Sequence, residues 1–162
     1  MRTGDAIEKK IMTVTQAQSM IAALKVNGKK IAFTNGCFDI IHPGHLFSLA
    51  QAANEADFLI VGLNSDASVR KLKGPTRPIN TTQSRAIVLA NLIVVDAVVI
   101  FEEETPLELI STLLPDVIVK GGDYTIDQIV GGKEVIANGG KVVINPMVEG
   151  FSTTSLIDKI KE

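Results

Sequence analysis

The segment FLIVGL at residues 58–63 narrows the possible folds more than any other part of the sequence, because it is apolar almost without interruption. A strand with one solvated face would alternate apolar and polar residues. Continuous apolar runs are typical of strands buried on both faces, which occur in parallel sheets covered by helices. The segment therefore predicts an α/β fold with a parallel sheet.

Four shorter runs of the same kind alternate with segments of helical periodicity, at residues 31–34, 97–101, 117–119 and 142–144. Strands that alternate with helices imply right-handed crossovers and a doubly wound sheet with helices on both faces. We expect five strands that, numbered in chain order, lie in the Rossmann-like order 3-2-1-4-5. The order reverses between strands 1 and 4, and ligands bind outside the carboxyl ends of strands at such a point.

The length of 162 residues indicates one domain. Residues 1–28 are predicted to form an N-terminal arm and helix, and residues 29–162 the part that carries the sheet and the site. The arm, residues 1–12, is polar and mixed and is expected to be loose, whereas Thr13 and Gln16 can form a capping box that starts the helix. Packing of this helix against a second subunit, in a homodimer, is left open.

Charge and composition restrict the partners. A formal net charge of −2 gives no argument for nucleic acid or an anionic membrane surface. No apolar run reaches membrane-spanning length, and the N-terminus shows no signal-peptide core. The single cysteine cannot form an internal disulfide, which is typical of a reducing compartment. We expect a cytoplasmic protein without nucleic-acid or membrane partners.

The candidate site is the segment NGCFDIIHPGH at residues 35–45, which joins a predicted strand to a predicted helix. It contains both histidines of the chain, His42 and His45. At this spacing two imidazoles at the start of a helix point the same way, and the free N–H groups of the first helical turn attract anions. Gly44 lets a ligand approach the backbone. We predict a phosphate site with two imidazole donors; the alternative is a pair of structural or exposed histidines.

Two other chemistries could use the same segment. Zinc would have Cys37, Asp39, His42 and His45 as conceivable ligands, but structural zinc prefers closed sets of Cys and His at motif spacings, and the chain has one cysteine. As a nucleophile, Cys37 would need a third group to orient a histidine as its base, and none is identifiable. The phosphate site is therefore favoured.

Residues 71–80 are expected at the same edge of the sheet. A short helix is expected to follow residues 64–66 and to end near Leu72. Residues 71–80 contain the cations Lys71, Lys73 and Arg77 together with a glycine and two prolines, so neither a helix nor a central strand is expected there. The segment is either a solvated loop or a mobile cationic flap over the phosphate site. Arg85 follows near the start of the next helix.

Two further segments fall at this edge. Residues 121–124 (GGDY) follow predicted strand 4; the two glycines would admit a base or ribose, and Asp123 is available to a hydroxyl, although a plain tight turn is the alternative. Ser152, Thr153 and Thr154 open the last helix. One hydroxyl is enough to cap a helix, so the three together favour a second site for a polyphosphate.

Imidazoles, cations and helix termini together suit in-line attack on phosphorus, where positioning and charge stabilisation supply most of the rate. His42 and His45 are predicted to donate to the α-phosphate and its bridging oxygen as pyrophosphate leaves, while Lys71, Lys73 and Arg85 neutralise the developing charge. Mg²⁺ is expected as a cofactor carried by the triphosphate, with no protein side chain assigned to it. The helix dipole should hold the pKa of His45 below its ordinary value.

The segment from Gly36 to His45 resembles the H-x-G-H signature of the nucleotidyltransferase superfamily that includes the cytidylyltransferases, down to the Phe-Asp before the histidines. The segments NSDAS at 64–68, LKG at 72–74, VKGGDY at 119–124 and GFSTT at 150–154 are similar to one branch. That branch is the adenylyltransferase domain of the bifunctional heptose kinase/adenylyltransferases of lipopolysaccharide-core synthesis. The resemblance implies transfer of AMP from ATP to D-glycero-β-D-manno-heptose 1-phosphate, giving ADP-heptose and pyrophosphate.

The residues and the resemblance together assign three sets of site residues. The catalytic set is His42, His45 and Lys73. The substrate-binding set is Asp39, Lys71 and Arg77. The nucleotide-binding set is Cys37, Phe38, Gly44, Arg85, Gly121, Asp123, Glu149, Gly150, Ser152, Thr153 and Thr154.

The sequence departs from the related patterns in two ways. Met147 and Val148 stand where cytidylyltransferases carry an arginine-threonine pair, which argues against a cytidylyl enzyme. No kinase domain is present, so a separate heptose kinase is expected as a partner in the pathway. Another phosphorylated acceptor, such as glycerol 3-phosphate or FMN, is the nearest alternative, and a non-catalytic nucleotide-binding module is the other.

Overall fold

Six parallel strands form one sheet in the computed structural model, which describes residues 4–146 and 150–161. The strands are β1 (Ile11–Met12), β2 (Ile31–Gly36), β3 (Phe58–Asn64), β4 (Ala97–Phe101), β5 (Val117–Gly121) and β6 (Lys141–Asn145). Their order across the sheet is β1-β4-β3-β2-β5-β6, and every neighbouring pair is parallel. The central strand β3 is buried along almost its whole length, as its unbroken apolar run predicts.

Helices cover both faces of this sheet. They are α1 (Gly4–Glu8), α2 (Val14–Val26), α3 (Pro43–Ala53), α4 (Asp66–Lys73), α5 (Thr82–Ala90), α6 (Leu107–Leu113), α7 (Gly132–Ala137) and α8 (Thr153–Lys161), with a 3₁₀ turn at Ile126–Gln128. One hydrophobic core lies between the sheet and α2, α6 and α7, and the other between the sheet and α3 and α5. Two cores on opposite faces confirm the predicted α/β class.

The predicted order of five strands is incomplete. The five expected strands follow one another as β4-β3-β2-β5-β6, but β1 adds a sixth strand at the edge, with Ile11 opposite Val98 and Met12 opposite Val99. The expectation of a loose arm is therefore wrong for residues 4–12. A strand of two residues is too short to show any periodicity, and it forms only because the edge of β4 is there to pair with it.

The helix predicted after the arm is α2. Thr13 and Gln16 form the capping box, and Ala17 and Ile21 are buried in the core of their own chain. The helix therefore packs on its own sheet, and the homodimer stays an untested prediction. No helix in the described part of the chain combines the length and the apolar character needed to cross a membrane.

Candidate active site

A cleft of about 400 Å³ opens at the carboxyl ends of β2 and β5, where the strand order reverses. It is lined by four segments that are distant in sequence. They are the loop from β2 into α3 with both histidines, the end of α4 with Lys73, the end of β5 with Lys120 and Gly121, and the start of α8 with Ser152, Thr153 and Thr154. The segments that were expected to meet at one edge of the sheet therefore do meet there.

The two histidines form a stacked pair at the start of α3. His42 is the N-cap residue, and Pro43 occupies the first helical turn. The imidazole centroids of His42 and His45 lie 3.8 Å apart with 24° between the ring planes. A Cβ on Gly44 would lie 3.1 Å from the His42 ring and 3.2 Å from the Cβ of Phe151. A side chain at position 44 would therefore press on the His42 ring, which would have to move by a few tenths of an ångström.

Both imidazoles are held neutral. Burial lowers the pKa of His42, and burial together with the charges of His42 and Lys73 lowers the pKa of His45 to about 4. The direction agrees with the prediction for His45, although burial rather than the helix dipole is the main cause. The Nδ1 atoms of both rings are buried and find no hydrogen-bond partner among residues 4–146 and 150–161. A neutral imidazole offers one donor and one acceptor, so the pair can donate to phosphate oxygens at neutral pH.

Phe38 and Cys37 lie between the histidines and the end of β2. Phe38 is buried with a left-handed backbone (φ 46°), and its ring centroid lies 5.3 Å from that of His45. Phe38 thus packs behind His45 as well as lining the cleft. Burial raises the pKa of the Cys37 thiol, although the charges of Lys73 and Arg85 oppose this, so the thiol stays protonated. A protonated thiol is a poor nucleophile.

The start of α8 is attached to the histidine loop. The hydroxyl of Thr153 donates to the carbonyl of Ile40 at 3.5 Å, and the ring centroid of Phe151 lies 6.2 Å from that of His42. The Ser152 hydroxyl accepts from the Ser155 N–H, which makes it the helix cap. Free N–H groups of α3 and α8 therefore border the same cleft, and such termini attract phosphate.

The family model for cytidylyltransferase-like proteins matches residues 33–159, which include every one of these cleft-lining segments. The chain belongs to the cytidylyltransferase-like family. The match confirms the family and the class of enzyme predicted from the motifs, a nucleotidyltransferase.

The chain is also similar to several named proteins. It is 57% identical over 153 residues to the bifunctional protein HldE of Paramagnetospirillum magneticum and 54% identical over 157 residues to that of Caulobacter vibrioides, covering 94% and 97% of the chain. The matches cover 31% and 32% of those relatives, so the chain spans about a third of their length. The lipopolysaccharide core biosynthesis protein of Thermoplasma volcanium superposes with a TM-score of 0.61 at 27% identity, covering 75% of this chain and 98% of that one.

Arg85 was expected to bind the nucleotide of this cytidylyltransferase-like chain, but its side chain is directed into the protein and not into the cleft. Its side chain is 1% exposed, and it does not line the cleft. All five guanidinium N–H groups are engaged, with the backbone carbonyls of Cys37, Asn64 and Asn80, the carboxylate of Asp66 and the hydroxyl of Thr82. No donor is left for a phosphate, so Arg85 ties α5 to the ends of β2 and β3 instead.

The three residues expected to bind substrate also lie outside the cleft lining. Asp39 is buried and accepts hydrogen bonds from the Arg77 Nε and from the N–H groups of Ile79 and Asn80. Burial alone would raise the pKa of Asp39, but these hydrogen bonds outweigh it and hold the pKa below its usual value. The hydrogen bonds from Arg77, Ile79 and Asn80 to Asp39 therefore attach residues 74–81 to the histidine loop. This set of hydrogen bonds is called the Asp39 staple.

The segment predicted as one loop at residues 71–80 is divided. The helix α4 runs to Lys73, and only the residues after it form a loop. Lys71 is exposed on α4 away from the cleft lining, whereas Lys73 ends the helix and lines the cleft. The short helix predicted to end near Leu72 is α4, and it is confirmed. The expectation that residues 71–80 contain no helix is wrong for residues 71–73, because the N-cap Ser65 and the apolar contacts of α4 outweigh the breakers that follow.

Four more residues were predicted to bind the nucleotide, at positions 121, 123, 149 and 150, and only the first of them is found in the cleft lining. Gly121 lines the cleft, and a Cβ there would lie 3.3 Å from the Ser48 hydroxyl. Asp123 and Gly150 are exposed and are absent from the described lining. Glu149, like Met147 and Val148, lies outside the residues that the structure describes.

Sequence reasoning missed several residues that line the cleft. They are Thr34, Asn35, Phe47, Ser48, Leu49, Lys120, Tyr124, Pro146 and Phe151. Lys120 had a usable signal, since it is a cation near the carboxyl end of an otherwise apolar strand. The others are ordinary helix, strand or loop residues whose exposure to the cleft depends on the packing of α3 and α8.

Proposed function

We propose that this chain transfers AMP from ATP to D-glycero-β-D-manno-heptose 1-phosphate, giving ADP-heptose and pyrophosphate. The observation that carries the transfer chemistry is the stacked, neutral pair of His42 and His45, which shares a cleft with Lys73 and the start of α8. The heptose acceptor is supported by the identity of more than half to the HldE proteins and by the likeness to a lipopolysaccharide core biosynthesis protein.

In this mechanism the triphosphate lies against the N-termini of α3 and α8. An oxygen of the acceptor phosphate attacks the α-phosphorus of ATP, a new P–O bond forms, and the bond to the β-phosphate breaks as pyrophosphate leaves. His42 and His45 donate hydrogen bonds to the oxygens that gain charge, and Lys73 supplies the positive charge beside them. Preorganised donors of this kind stabilise the transition state without reorganisation, and little covalent chemistry is required of the protein.

ATP is proposed to enter as its magnesium complex. The part of the chain that the structure describes contains no group of three His, Cys, Asp or Glu side chains that could hold a metal ion. The ion's ligands would then be phosphate oxygens and water, which suits Mg²⁺ because it retains several waters in phosphate sites. The protein's own task is to hold the phosphates in line.

The predicted separate kinase, cytoplasmic location and homodimer stay proposals. A sugar 1-phosphate has to be made by a phosphorylating enzyme, and the HldE relatives are named bifunctional while the chain matches about a third of them. These points agree with a kinase upstream in the same pathway.

A pyrophosphate-release assay that crosses ATP and CTP with a panel of phosphorylated acceptors tests the proposal. We expect turnover with ATP and heptose 1-phosphate, and loss of turnover in His45→Asn with the fold retained. Turnover restricted to CTP, or preference for glycerol 3-phosphate or FMN, would refute the proposed substrates. Binding of ATP without turnover on any acceptor would favour a nucleotide-binding module.

A further inference from the structure

Lys120 is a cation that lines the cleft, and the proposed mechanism assigns it no role. It is the penultimate residue of β5, the strand that lies between β2 and β6. Ile118, two residues earlier and therefore on the same face of the strand, is fully buried in the core. Lys120 is partly buried and lines the cleft, so its ammonium extends from the apolar floor of the sheet into the site.

The side chain of Lys120 has no hydrogen-bond or ion-pair partner in the described part of the chain although it is partly buried, unlike five other lysines. Lys10 and Lys25 donate to backbone carbonyls, and Lys29, Lys30 and Lys141 pair with carboxylates. Burial lowers the pKa of Lys120. A partly buried ammonium without a carboxylate is unfavourable in the empty protein. An anion entering the cleft would remove that cost.

Lys73 and Lys120 are located differently with respect to the histidines. The charge of Lys73 lowers the pKa of both His45 and Cys37. Lys73 also comes from α4, beyond β3, whereas Lys120 comes from β5 in the floor. β3 and β5 are the two neighbours of β2, which leads into the histidine loop, so the two cations reach the cleft from opposite sides of that loop.

In-line transfer requires two anionic groups in the cleft at once, the attacking acceptor phosphate and the leaving pyrophosphate, on opposite sides of the α-phosphorus. The helix termini and the histidines account for the triphosphate and the leaving pyrophosphate. We propose that Lys120 binds the phosphate group of the acceptor and orients its oxygen for attack. This inference rests on the proposed nucleotidyl transfer, and it assigns Lys120 to the acceptor rather than to ATP.

The kinetic test compares Lys120→Met with Lys133→Met, which removes the same charge from an exposed position on α7. We expect the KM for the acceptor to rise about 10- to 100-fold in Lys120→Met, the loss expected for a charge-assisted hydrogen bond, with the KM for ATP within about twofold. Lys120→Arg should recover part of the acceptor affinity, and Lys133→Met should match the wild type. An unchanged KM for the acceptor, or an equal rise in both KM values, would overturn the assignment.

A second measurement does not depend on turnover. The ¹³Cε signal of Lys120, assigned by its loss in Lys120→Met, is followed by NMR while orthophosphate is added to protein saturated with a non-hydrolysable ATP analogue. We expect a saturable shift of this signal and none in that of Lys133. Absence of turnover with a saturable shift would refute the proposed acceptor but support the role of Lys120. Absence of any shift would refute the role of Lys120, whatever the activity.

Discussion

Replacement of Asp39 by asparagine tests the staple that joins residues 74–81 to the histidine loop. The carboxylate accepts hydrogen bonds of 2.8 Å from the Arg77 Nε, 2.9 Å from the Ile79 N–H and 2.8 Å from the Asn80 N–H. The side chains of Asp39 and Arg77 are only 1% and 12% exposed. Asparagine keeps one acceptor oxygen but presents an NH₂ group where donors now point, and it leaves the guanidinium without its counter-charge.

The magnitude follows from that burial. A hydrogen bond to a charged group contributes about 1.5–3 kcal/mol, and leaving one member of a buried ion pair unpaired costs about 3–5 kcal/mol. We expect Asp39→Asn to lower the free energy of unfolding by about 3–5 kcal/mol, measured by urea denaturation at pH 7. The matched control is Asp127→Asn, which removes an exposed carboxylate that makes no hydrogen bond or ion pair with the described residues, and we expect little change there.

The pH dependence gives a second readout of the same staple. The folded pKa of Asp39 is depressed, so the carboxylate stabilises the fold at pH above its unfolded pKa of about 3.9. That contribution is lost as the pH falls through the folded value. The difference between wild type and Asp39→Asn should therefore narrow below about pH 4. Equal stability of Asp39→Asn and Asp127→Asn at pH 7 would refute the argument.

Three further predictions concern single residues. Arg85→Lys should lower the free energy of unfolding by about 2–6 kcal/mol, because an ammonium has three donors in place of five and each buried acceptor left unpaired costs about 1–3 kcal/mol; a melting temperature within a degree of wild type would contradict this. In NMR titration of the free protein, His45 should stay neutral down to about pH 4. Since the unfolded chain protonates near 6.5, stability should fall as the pH drops between these values, and a midpoint for His45 at or above 6.5 would refute its burial. Gly44→Ala should reduce kcat about tenfold, because the Cβ displaces the His42 ring by a few tenths of an ångström, less than the roughly 1 Å misplacement that costs about 100-fold; unchanged kcat in the folded variant would show that the ring position is unimportant.

Local patterns predicted the parts of the molecule that depend on neighbouring residues. The apolar run of β3 and the spacing of His42 and His45 are such patterns, and both describe the structure well. β1 was missed because two residues carry no pattern, and its pairing depends on an edge of β4 that is distant in the sequence.

The functions of individual charged residues were harder to predict, because a charge has the same appearance in the sequence whether it faces a ligand or another part of the chain. Arg85 resembles a phosphate-binding cation, but its partners include the carbonyl of Cys37, 48 positions away. Asp39 is paired with Arg77 across 38 positions. Lys120 has no partner of this kind among the described residues, and only the assembled cleft distinguishes it from the other lysines.

The central claim is that this cleft transfers a nucleotidyl group. Following the label of [α-³²P]ATP in the presence of heptose 1-phosphate tests it most directly. The mechanism predicts that the label appears in the sugar nucleotide and that the pyrophosphate released is unlabelled. Attack at the terminal phosphate would instead leave the label in ADP. The second product would then be orthophosphate or a sugar that carries the γ-phosphate of ATP, and this result would contradict the account.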